Sequence, residues 1–318
     1  MSVLHNTIPR KELQARVLAE PDARMTVSFY KYFTLDDPFS FRDALYLALS
    51  KLRIFGRIYV SQEGINAQVS VPHTLYSSME DMLYAFHPSF SDLQMNIALD
   101  NNKQSFWVLS IKIRAKLVAD GITDTSFNAS DVGVYIDAKT VNKLHDDVNA
   151  IFVDMRNDYE YAIGHFHKAL AIPGRTFRQQ LSTIIGMLQG YKEYPIVLYC
   201  TGGIRCEKSS AWMRYHGYKN VYQIQGGIIN YVHTARAQGL QVYFIGKNFV
   251  FDKRMAEYVS EDIVGSCYQC GKKDDHYINC RNNRCHKLFI QCLTCSKKFS
   301  YFCSRTCMNT WLYYIERS

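Results

Sequence analysis

The N-terminal third of the chain alternates short apolar strands with segments of helical periodicity. Residues 25–33 are rich in β-branched and aromatic side chains, which predicts a strand. Asp37 followed by Pro38 is typical of a helix N-terminus, and apolar residues then recur at helical spacing as far as Leu52. We therefore predict a strand and then a helix that Gly56 closes.

Three further strands and a second helix complete this first unit. Residues 57–60 and 65–69 are predicted to form a hairpin around a short turn. A helical segment near 74–86 and a strand near 106–114 follow. The order βαββαβ is that of a small ferredoxin-like α+β unit. The polar leader before it, about residues 1–24, is predicted to hold one short helix.

A different pattern begins near residue 150. Residues 151–154 are apolar in a row, as in a strand that a parallel sheet buries on both faces. A helical segment near 176–190, an apolar strand at 195–199, a helix after it and a short strand at 221–224 continue an α/β pattern. The predicted fold class is therefore α/β and α+β multidomain. The predicted segments are a ferredoxin-like domain with a short leader at 1–120, a connector at 121–145, an α/β domain at 146–243 and a Cys-rich domain at 244–318.

Cys200 lies between the apolar strand and a helical segment that is predicted to start at Cys206. Ligands of α/β sheets bind at the carboxyl ends of strands, where this cysteine falls. A helix N-terminus offers unpaired N–H groups and the positive end of the helix dipole, and both favour a thiolate. Arg205 adds a positive charge beside the same loop. The sequence thus predicts a reactive thiolate next to an anion-binding loop rather than an inert buried thiol.

The candidate site residues all belong to this loop and the helix after it. Cys206 has two interpretations, a resolving thiol for an oxidised Cys200 or a small core side chain, and we favour the second. Lys208 is interpreted as a phosphate contact, with a solvated lysine as the alternative. The predicted catalytic residues are Cys200 and Arg205, and the predicted substrate- or anion-binding residues are Thr201, Gly202, Gly203, Ile204 and Lys208.

The formal net charge of the 318 residues is +8, and most of it belongs to the C-terminal quarter. Residues 244–318 hold 12 Lys and Arg against 7 Asp and Glu, a net of +5. This distribution suits a nucleic-acid contact, although a solvated basic surface would have the same composition.

No apolar run approaches the ~20 residues of a membrane span, and the N-terminus lacks the apolar region of a signal peptide. These features predict a soluble, cytoplasmic protein without membrane contact, and nothing in the sequence indicates an obligate protein partner. Ten cysteines in such a chain indicate metal binding or catalysis rather than disulfides.

Eight of the ten cysteines form four close pairs near the C-terminus, a strong signal for zinc. Eight thiolates suit two tetrahedral zinc ions, and a cross-braced pairing of first with third and second with fourth is favoured over a sequential one. His276 and His286 are interpreted as surface residues rather than ligands. Lysines and arginines between the pairs predict a contact with a nucleic-acid backbone, or with an acidic protein. The predicted metal ligands are Cys267, Cys270, Cys280, Cys285, Cys292, Cys295, Cys303 and Cys307.

Several motifs together resemble one family of rhodanese-domain proteins. Asp154-Met155-Arg156-Asn157 with Glu160, Gly164 and His165 is similar to the first half of a rhodanese domain. The stretch 200–208, CTGGIRCEK, resembles the active-site loop of the oxygen-dependent tRNA uridine hydroxylases, as do Glu63-Gly64-Ile65-Asn66 and Gln225-Gly226-Gly227-Ile228. Where that family usually has Gly-Ile-Asn-Gly-Thr, this chain has Gly64-Ile65-Asn66-Ala67-Gln68.

The resemblance covers about residues 25–310 and implies a rhodanese domain between a ferredoxin-like domain and a Cys-rich domain. It implies that the anticodon loop of tRNA is the partner, that molecular oxygen is the co-substrate, and that the 5-carbon of the wobble uridine is hydroxylated. It also implies that Cys200 is the catalytic cysteine.

Two routes for Cys200 remain open at the level of sequence. The thiolate adds to the 6-carbon of uracil while Arg205 or loop amides stabilise the developing negative charge, or a persulfide or sulfenate on Cys200 acts as a redox relay. A flipped base would stack on an aromatic side chain, but with 23 Tyr in the chain no single residue is nominated.

Other functions follow from other interpretations of the same loop. The alternatives to hydroxylation are persulfide sulfur transfer, including tRNA thiolation, and a non-catalytic RNA-binding module. A protein phosphatase is disfavoured because Cys200 to Arg205 is Cys-x4-Arg, one residue shorter than the phosphatase loop.

Overall fold

The computed structural model describes residues 4, 6, 8–20, 22–101, 104–174 and 176–315. A short helix in the leader, as predicted, precedes a first unit of five strands and two helices. Residues 1–3, 5, 7 and 21 of the predicted leader lie outside the described residues. The elements are α1 Arg10–Leu18, β1 Arg24–Tyr32, α2 Pro38–Lys51, β2 Phe55–Ser61, β3 Gly64–Pro72, α3 Tyr76–Phe86, β4 Asn96–Ile97 and β5 Leu109–Ile113.

The first sheet has the strand order β4-β1-β3-β2-β5. Its first four strands are antiparallel neighbours, which confirms the ferredoxin-like βαββαβ unit. The prediction of its last strand was wrong, because the closing strand is the two-residue β4. The strand predicted near 106–114 is β5, which is added parallel to β2 at the opposite edge. Two residues are too few to show a strand periodicity in the sequence.

Helix α2 begins as predicted but does not end at Gly56. The Asp37 carboxylate accepts hydrogen bonds from the N–H groups of Phe39 and Ser40 at 3.0 and 3.1 Å. The helix ends at Lys51, and Arg53 takes the left-handed conformation at φ 53°, while Gly56 lies in β2. An arginine occupies the position where glycine is usual, so the sequence carried no stop signal there.

The first sheet has one apolar and one polar face. The apolar face, which includes Val27, Ile58 and Val69, packs against α2 and α3 and is fully buried. Because strand side chains alternate, the residues between them point to the other face of the sheet.

The second unit is a parallel five-stranded sheet with helices on both faces. Its strand order is β6-β11-β10-β7-β9. The core on one face includes residues of α4 and α8, and that on the other residues of α6 and α7. The elements are β6 Val134–Ile136, α4 Ala138–Asp146, β7 Ile151–Asp154, α5 Asp158–Tyr161, β8 Gly164–Phe166, β9 Leu170–Ala171, α6 Phe177–Met187, β10 Ile196–Tyr199, α7 Ile204–Tyr215, β11 Val221–Ile224 and α8 Gly227–Ala237.

Six elements of this unit were not predicted from the sequence, namely β6, α4, α5, β8, β9 and α8. Strand β6 lies inside the predicted connector 121–145, as does nearly all of α4, yet β6 is an edge strand of the second sheet, paired in parallel with β11. Two of its three residues, Val134 and Tyr135, are about half exposed, so β6 lacks the apolar run by which the buried strands were recognised.

The C-terminal residues form a small Cys-rich unit that is joined to the second unit through a shared sheet. Strand β12 pairs with β8 on one side and β13 on the other, and β14 and β15 form a hairpin. Within the described part of the chain, no helix is both long and apolar enough to cross a membrane. The elements are β12 Phe244–Phe249, β13 Ala256–Tyr258, β14 Tyr277–Asn279, β15 Leu288–Ile290, α9 Leu293–Phe299 and α10 Arg305–Ile315.

Buried ion pairs connect the first unit to α7. The Lys208 ammonium lies 2.6 Å from a carboxylate oxygen of Glu63, in the β2–β3 turn, and 3.1 Å from one of Asp120. Asp120 is also paired with Lys116. The side chains of Lys208 and Asp120 are 6% and 0% exposed, so water compensates little if either charge loses its partner.

We expect Lys208→Met to destabilise the protein by about 3 kcal/mol, because Glu63 and the buried Asp120 lose a cation. Lys219→Met is the matched control, since Lys219 pairs with Glu193 while both side chains are 68% exposed. The control should change stability by less than about 1 kcal/mol. Urea unfolding measures both variants, and equal midpoints would contradict the importance of the interdomain pairs.

Candidate active site

Strand β10 ends directly before Cys200, and the chain then turns sharply into α7. Helix α7 begins at Ile204, two residues earlier than predicted, so Arg205 and Cys206 lie in its first turn. The Cys200 thiol is 1% exposed, and its Sγ accepts a hydrogen bond from the Gly203 N–H at 3.2 Å. The predicted arrangement of a cysteine at a helix N-terminus is therefore present.

The surroundings of Cys200 favour its thiolate. Burial of the thiol opposes ionisation, but a hydrogen bond from Cys206, the Arg205 charge and the N–H groups of Arg205 and Gly203 outweigh it and lower the pKa of Cys200 to about 6. Burial raises the pKa of Cys206 well above its ordinary value, and the neighbouring Cys200 raises it further. Cys206 is therefore a neutral donor to an anionic Cys200.

Two glycines allow the close packing behind this loop. Gly203 has φ 106°, and a Cβ there would lie 2.7 Å from the Tyr30 hydroxyl oxygen. A Cβ on Gly227, at the start of α8, would lie 2.5 Å from the carbonyl oxygen of Cys200. That carbonyl accepts a hydrogen bond from the Ile228 N–H at 3.0 Å. The glycine at the start of α8 thus lets this helix pack directly against the Cys200 loop.

Arg205 is held by a buried carboxylate that the site prediction did not include. Its guanidinium donates two hydrogen bonds to Glu160, at 2.6 and 2.9 Å, and Glu160 is fully buried. Burial would raise the pKa of Glu160, but the charge and hydrogen bonds of Arg205 hold it below its ordinary value. Glu160 also accepts from the Asn157 N–H at 2.9 Å. This Asn-x-x-Glu capping box was the sequence signal for its position.

The other predicted loop residues have different surroundings. Thr201 lies against the Glu160–Arg205 pair, with its hydroxyl 3.5 Å from both side chains. The Ile204 carbonyl accepts a hydrogen bond from the Tyr32 hydroxyl at 3.5 Å. Lys208 lies in the interdomain ion pairs rather than at the thiol, and it lines a separate cavity of about 830 Å³.

Glu207 connects the loop to both neighbouring elements, a role that the sequence analysis missed. The Tyr30 hydroxyl, from β1, and the Tyr135 hydroxyl, from β6, each donate to its carboxylate at 2.8 Å. Burial, followed by the nearby Glu207, raises the pKa of both tyrosines, so both remain neutral donors. These contacts fix the polar face of the first sheet relative to Cys200.

A cavity of about 450 Å³ separates the Cys200 loop from this polar sheet face. Five of the predicted site residues line it, while Gly203 lies behind the thiol. Phe177, Ile229 and Phe251 supply apolar walls from the second and third units. The five are Cys200, Thr201, Gly202, Ile204 and Arg205.

The eight C-terminal cysteines form two groups of four. In each group the four Sγ atoms lie within 4.8 Å of one another, so each group could hold one metal ion in tetrahedral geometry. The first and third pairs meet, as do the second and fourth, which is the predicted cross-braced order. The groups are Cys267, Cys270, Cys292 and Cys295, and Cys280, Cys285, Cys303 and Cys307.

Sequence profiles of three known domain families match consecutive parts of the chain. The family described as UPF0176 acylphosphatase like domain matches residues 24–117, and the rhodanese-like domain matches 137–234. The family described as rhodanase C-terminal matches residues 245–308. These ranges follow the order of the three units in the structure.

Similarity to known proteins covers nearly the whole length of this chain. The tRNA uridine(34) hydroxylase of Erwinia tasmaniensis is 60% identical over 308 residues, which is 97% of this chain and 88% of that protein. The proteins of the same name from Cronobacter sakazakii and Enterobacter sp. (strain 638) are each 55% identical, over 96% of this chain and 88% of theirs. The chain therefore belongs to the family of the tRNA uridine(34) hydroxylases.

Proposed function

We propose that this protein uses molecular oxygen to hydroxylate the 5-carbon of the wobble uridine of tRNA, with Cys200 as the catalytic nucleophile. The observation that carries the proposal is the low-pKa thiol of Cys200 at the base of a cavity between two units. Family membership indicates the substrate class, because the names of the relatives specify uridine 34 of tRNA.

A thiolate helps this reaction by adding to the ring. Addition of Sγ to the 6-carbon of uracil gives the 5-carbon carbanion character, which lets it react with oxygen. One oxygen atom then remains on the 5-carbon and the other leaves as water, while a reductant of the thiol class supplies two electrons. Elimination of the Cys200 thiolate, with loss of the proton on the 5-carbon, restores the aromatic ring.

The loop residues have distinct parts in this proposal. Arg205, fixed by Glu160, and the Thr201 hydroxyl border the cavity where negative charge develops on a uracil carbonyl. Gly202 and Ile204 shape the wall beside the thiol. For Lys208 we propose a positioning role rather than a phosphate contact, because its ammonium is paired with two carboxylates.

Persulfide transfer is the second candidate, because a Gly-rich loop that stabilises a thiolate with its N–H groups also suits the anionic outer sulfur of a persulfide. This alternative needs a sulfur donor and no oxygen. Its products would be a thiolated nucleoside, and thiocyanate from thiosulfate and cyanide.

The function is tested by mass spectrometry of tRNA nucleosides from cells that lack this protein. Complementation with wild type should restore nucleosides derived from 5-hydroxyuridine, and Cys200→Ser should restore at least about 10³-fold less, because the nucleophile is lost. Cys206→Ala, which removes the other loop cysteine, should retain activity within about tenfold. Full activity of Cys200→Ser, or a thiolated product instead, would overturn the proposal.

The pKa of Cys200 can be measured without substrate. The rate of iodoacetamide labelling of the Cys200 peptide should rise with pH through a midpoint near 6 and level off above it, because only the thiolate reacts. Cys206→Ala removes a hydrogen bond to the thiolate, so its midpoint should lie higher by about one unit. A wild-type midpoint near the ordinary thiol pKa would show that the loop does not activate Cys200.

We further propose that the two four-cysteine groups bind zinc and that this unit holds the tRNA backbone. Four thiolates in tetrahedral reach suit zinc, and the unit has only small apolar clusters of its own. Its cations lie beside aromatic rings, with the Lys287 ammonium 3.6 Å from the Tyr268 ring centre and the Arg284 guanidinium 4.2 Å from that of Tyr314. Such pairs suit phosphate and base contacts.

Double variants distinguish the cross-braced from the sequential pairing. Cys267→Ser with Cys292→Ser should remove one of two zinc ions, because both residues belong to one group. Cys267→Ser with Cys280→Ser should remove both ions, since one ligand is lost from each group. Metal analysis of the purified full-length proteins measures this, and the opposite pattern would indicate the sequential order.

A further inference from the structure

The polar face of the first sheet carries an ordered set of side chains opposite Cys200. They come from alternate positions of three neighbouring strands and all line the cavity that Cys200 also lines. We name them the sheet array. Its members are Ser28 and Tyr30 of β1, Arg57 and Tyr59 of β2, and Asn66 and Gln68 of β3.

Strand register arranges the array in two rows. Asn66 lies directly opposite Tyr30 on one side and Tyr59 on the other, which places an amide between two aromatic rings. In the next row, Gln68 lies between Ser28 and Arg57. Adjacent strands are about 4.8 Å apart. A base that stacks on a side chain of one strand therefore has its edge within reach of the side chains of the next strand.

The amides of this array are not used by the protein itself. Asn66 and Gln68 are half-buried, and among the residues that the structure describes neither side chain has a hydrogen-bond partner. Arg57 is exposed and has no ion-pair partner in the same described ranges. A solvated sheet face would account for polar residues, but two half-buried amides without protein partners, side by side along one cavity, leave their donors and acceptors open to a ligand.

The chemistry of an amide matches the edge of uracil. That edge presents the N3–H donor between two carbonyl acceptors, and an amide offers one acceptor and one donor side by side. In a common RNA-binding module, aromatic rings on the face of a four-stranded sheet stack on unpaired RNA bases. The half-buried Tyr59 ring lines the cavity with the Arg114 guanidinium 5.4 Å from its centre, whereas the Tyr30 hydroxyl is occupied by Glu207.

We infer that the sheet array is the base-recognition subsite, in which Asn66 hydrogen-bonds the N3–H and a carbonyl of uracil while Tyr59 stacks on its ring. Gln68 serves the second carbonyl, and the exposed Arg57 faces the phosphate that follows. The assignment rests on the proposed function for the identity of the base. In this assignment the first unit recognises the base and the Cys200 loop carries out the reaction.

Replacement of the Asn66 amide nitrogen by an oxygen tests the assignment. Asn66→Asp keeps the size of the side chain but replaces the N–H donor with a second acceptor, which repels a uracil carbonyl and still accepts from the amino group of cytosine. We expect the ratio of affinities for U34 and C34 RNA to fall at least about tenfold. The matched control Asn149→Asp adds the same charge at an exposed position outside the cavity and should leave the ratio unchanged.

The measurement is fluorescence anisotropy with anticodon stem-loop RNAs that differ only at position 34. It uses the full-length protein in a Cys200→Ala background, so that no turnover occurs. Tyr59→Leu should weaken both RNAs at least about tenfold, and Tyr59→Phe, which keeps the ring, should not. If Asn66→Asp does not fold, as judged by thermal melting, the two Tyr59 variants decide.

The outcomes separate this inference from the proposed function. An unchanged U34 to C34 ratio in Asn66→Asp, or equal binding by Tyr59→Leu and Tyr59→Phe, overturns the subsite. Selective binding of U34 RNA that depends on Asn66, in a protein that hydroxylates no tRNA, supports the subsite and overturns the function instead.

Discussion

The arrangement of the active site depends on two consecutive buried charges at the start of α7. Glu207 and Lys208 are 8% and 5% exposed, and each is paired with residues of the first unit. Separation of the two units would break the contact of Lys208 with Glu63 and that of Glu207 with Tyr30, and Glu207 would keep only the Tyr135 hydroxyl of the second unit. The first sheet is therefore held at a fixed distance from the helix that follows Cys200, and the cavity between them is a consequence of that spacing.

Stabilisation of the thiolate follows from the same arrangement, but only partly through Arg205. Glu160 accepts two hydrogen bonds from the guanidinium and neutralises much of its charge. The remaining stabilisation comes from oriented dipoles, namely the N–H groups of Gly203 and Arg205 and the thiol of Cys206. Fixed dipoles of this kind need no reorganisation when charge moves from sulfur to the substrate. Of the two interpretations for Cys206, the buried small side chain agrees with its location, and it is also a hydrogen-bond donor.

Features that are marked by a signal in their own residues could be predicted from the sequence. Features that depend on a partner far along the chain could not. The Asp37 cap, the apolar strand before Cys200 and the spacing of the cysteine pairs are local, and the structure contains each as expected. Strands β4 and β6 have only two and three residues, and their pairing comes from neighbours far along the chain. The ion pair of Lys208 has the same limit, because its carboxylate partner Glu63 lies 145 residues earlier in the chain.

This chain differs from the usual Gly-Ile-Asn-Gly-Thr sequence of its family at two positions, and these two residues lie on opposite faces of the first sheet. Ala67 is 1% exposed and packs in the apolar core of the first unit, in an ordinary strand conformation that does not require glycine. An added methyl group there fills core space and has no access to the cavity. Gln68, one residue later, points to the opposite face and lines the cavity with Cys200. Of the two differences, only the second changes the chemistry of the cavity, because it replaces a short hydroxyl with a longer amide beside Arg57.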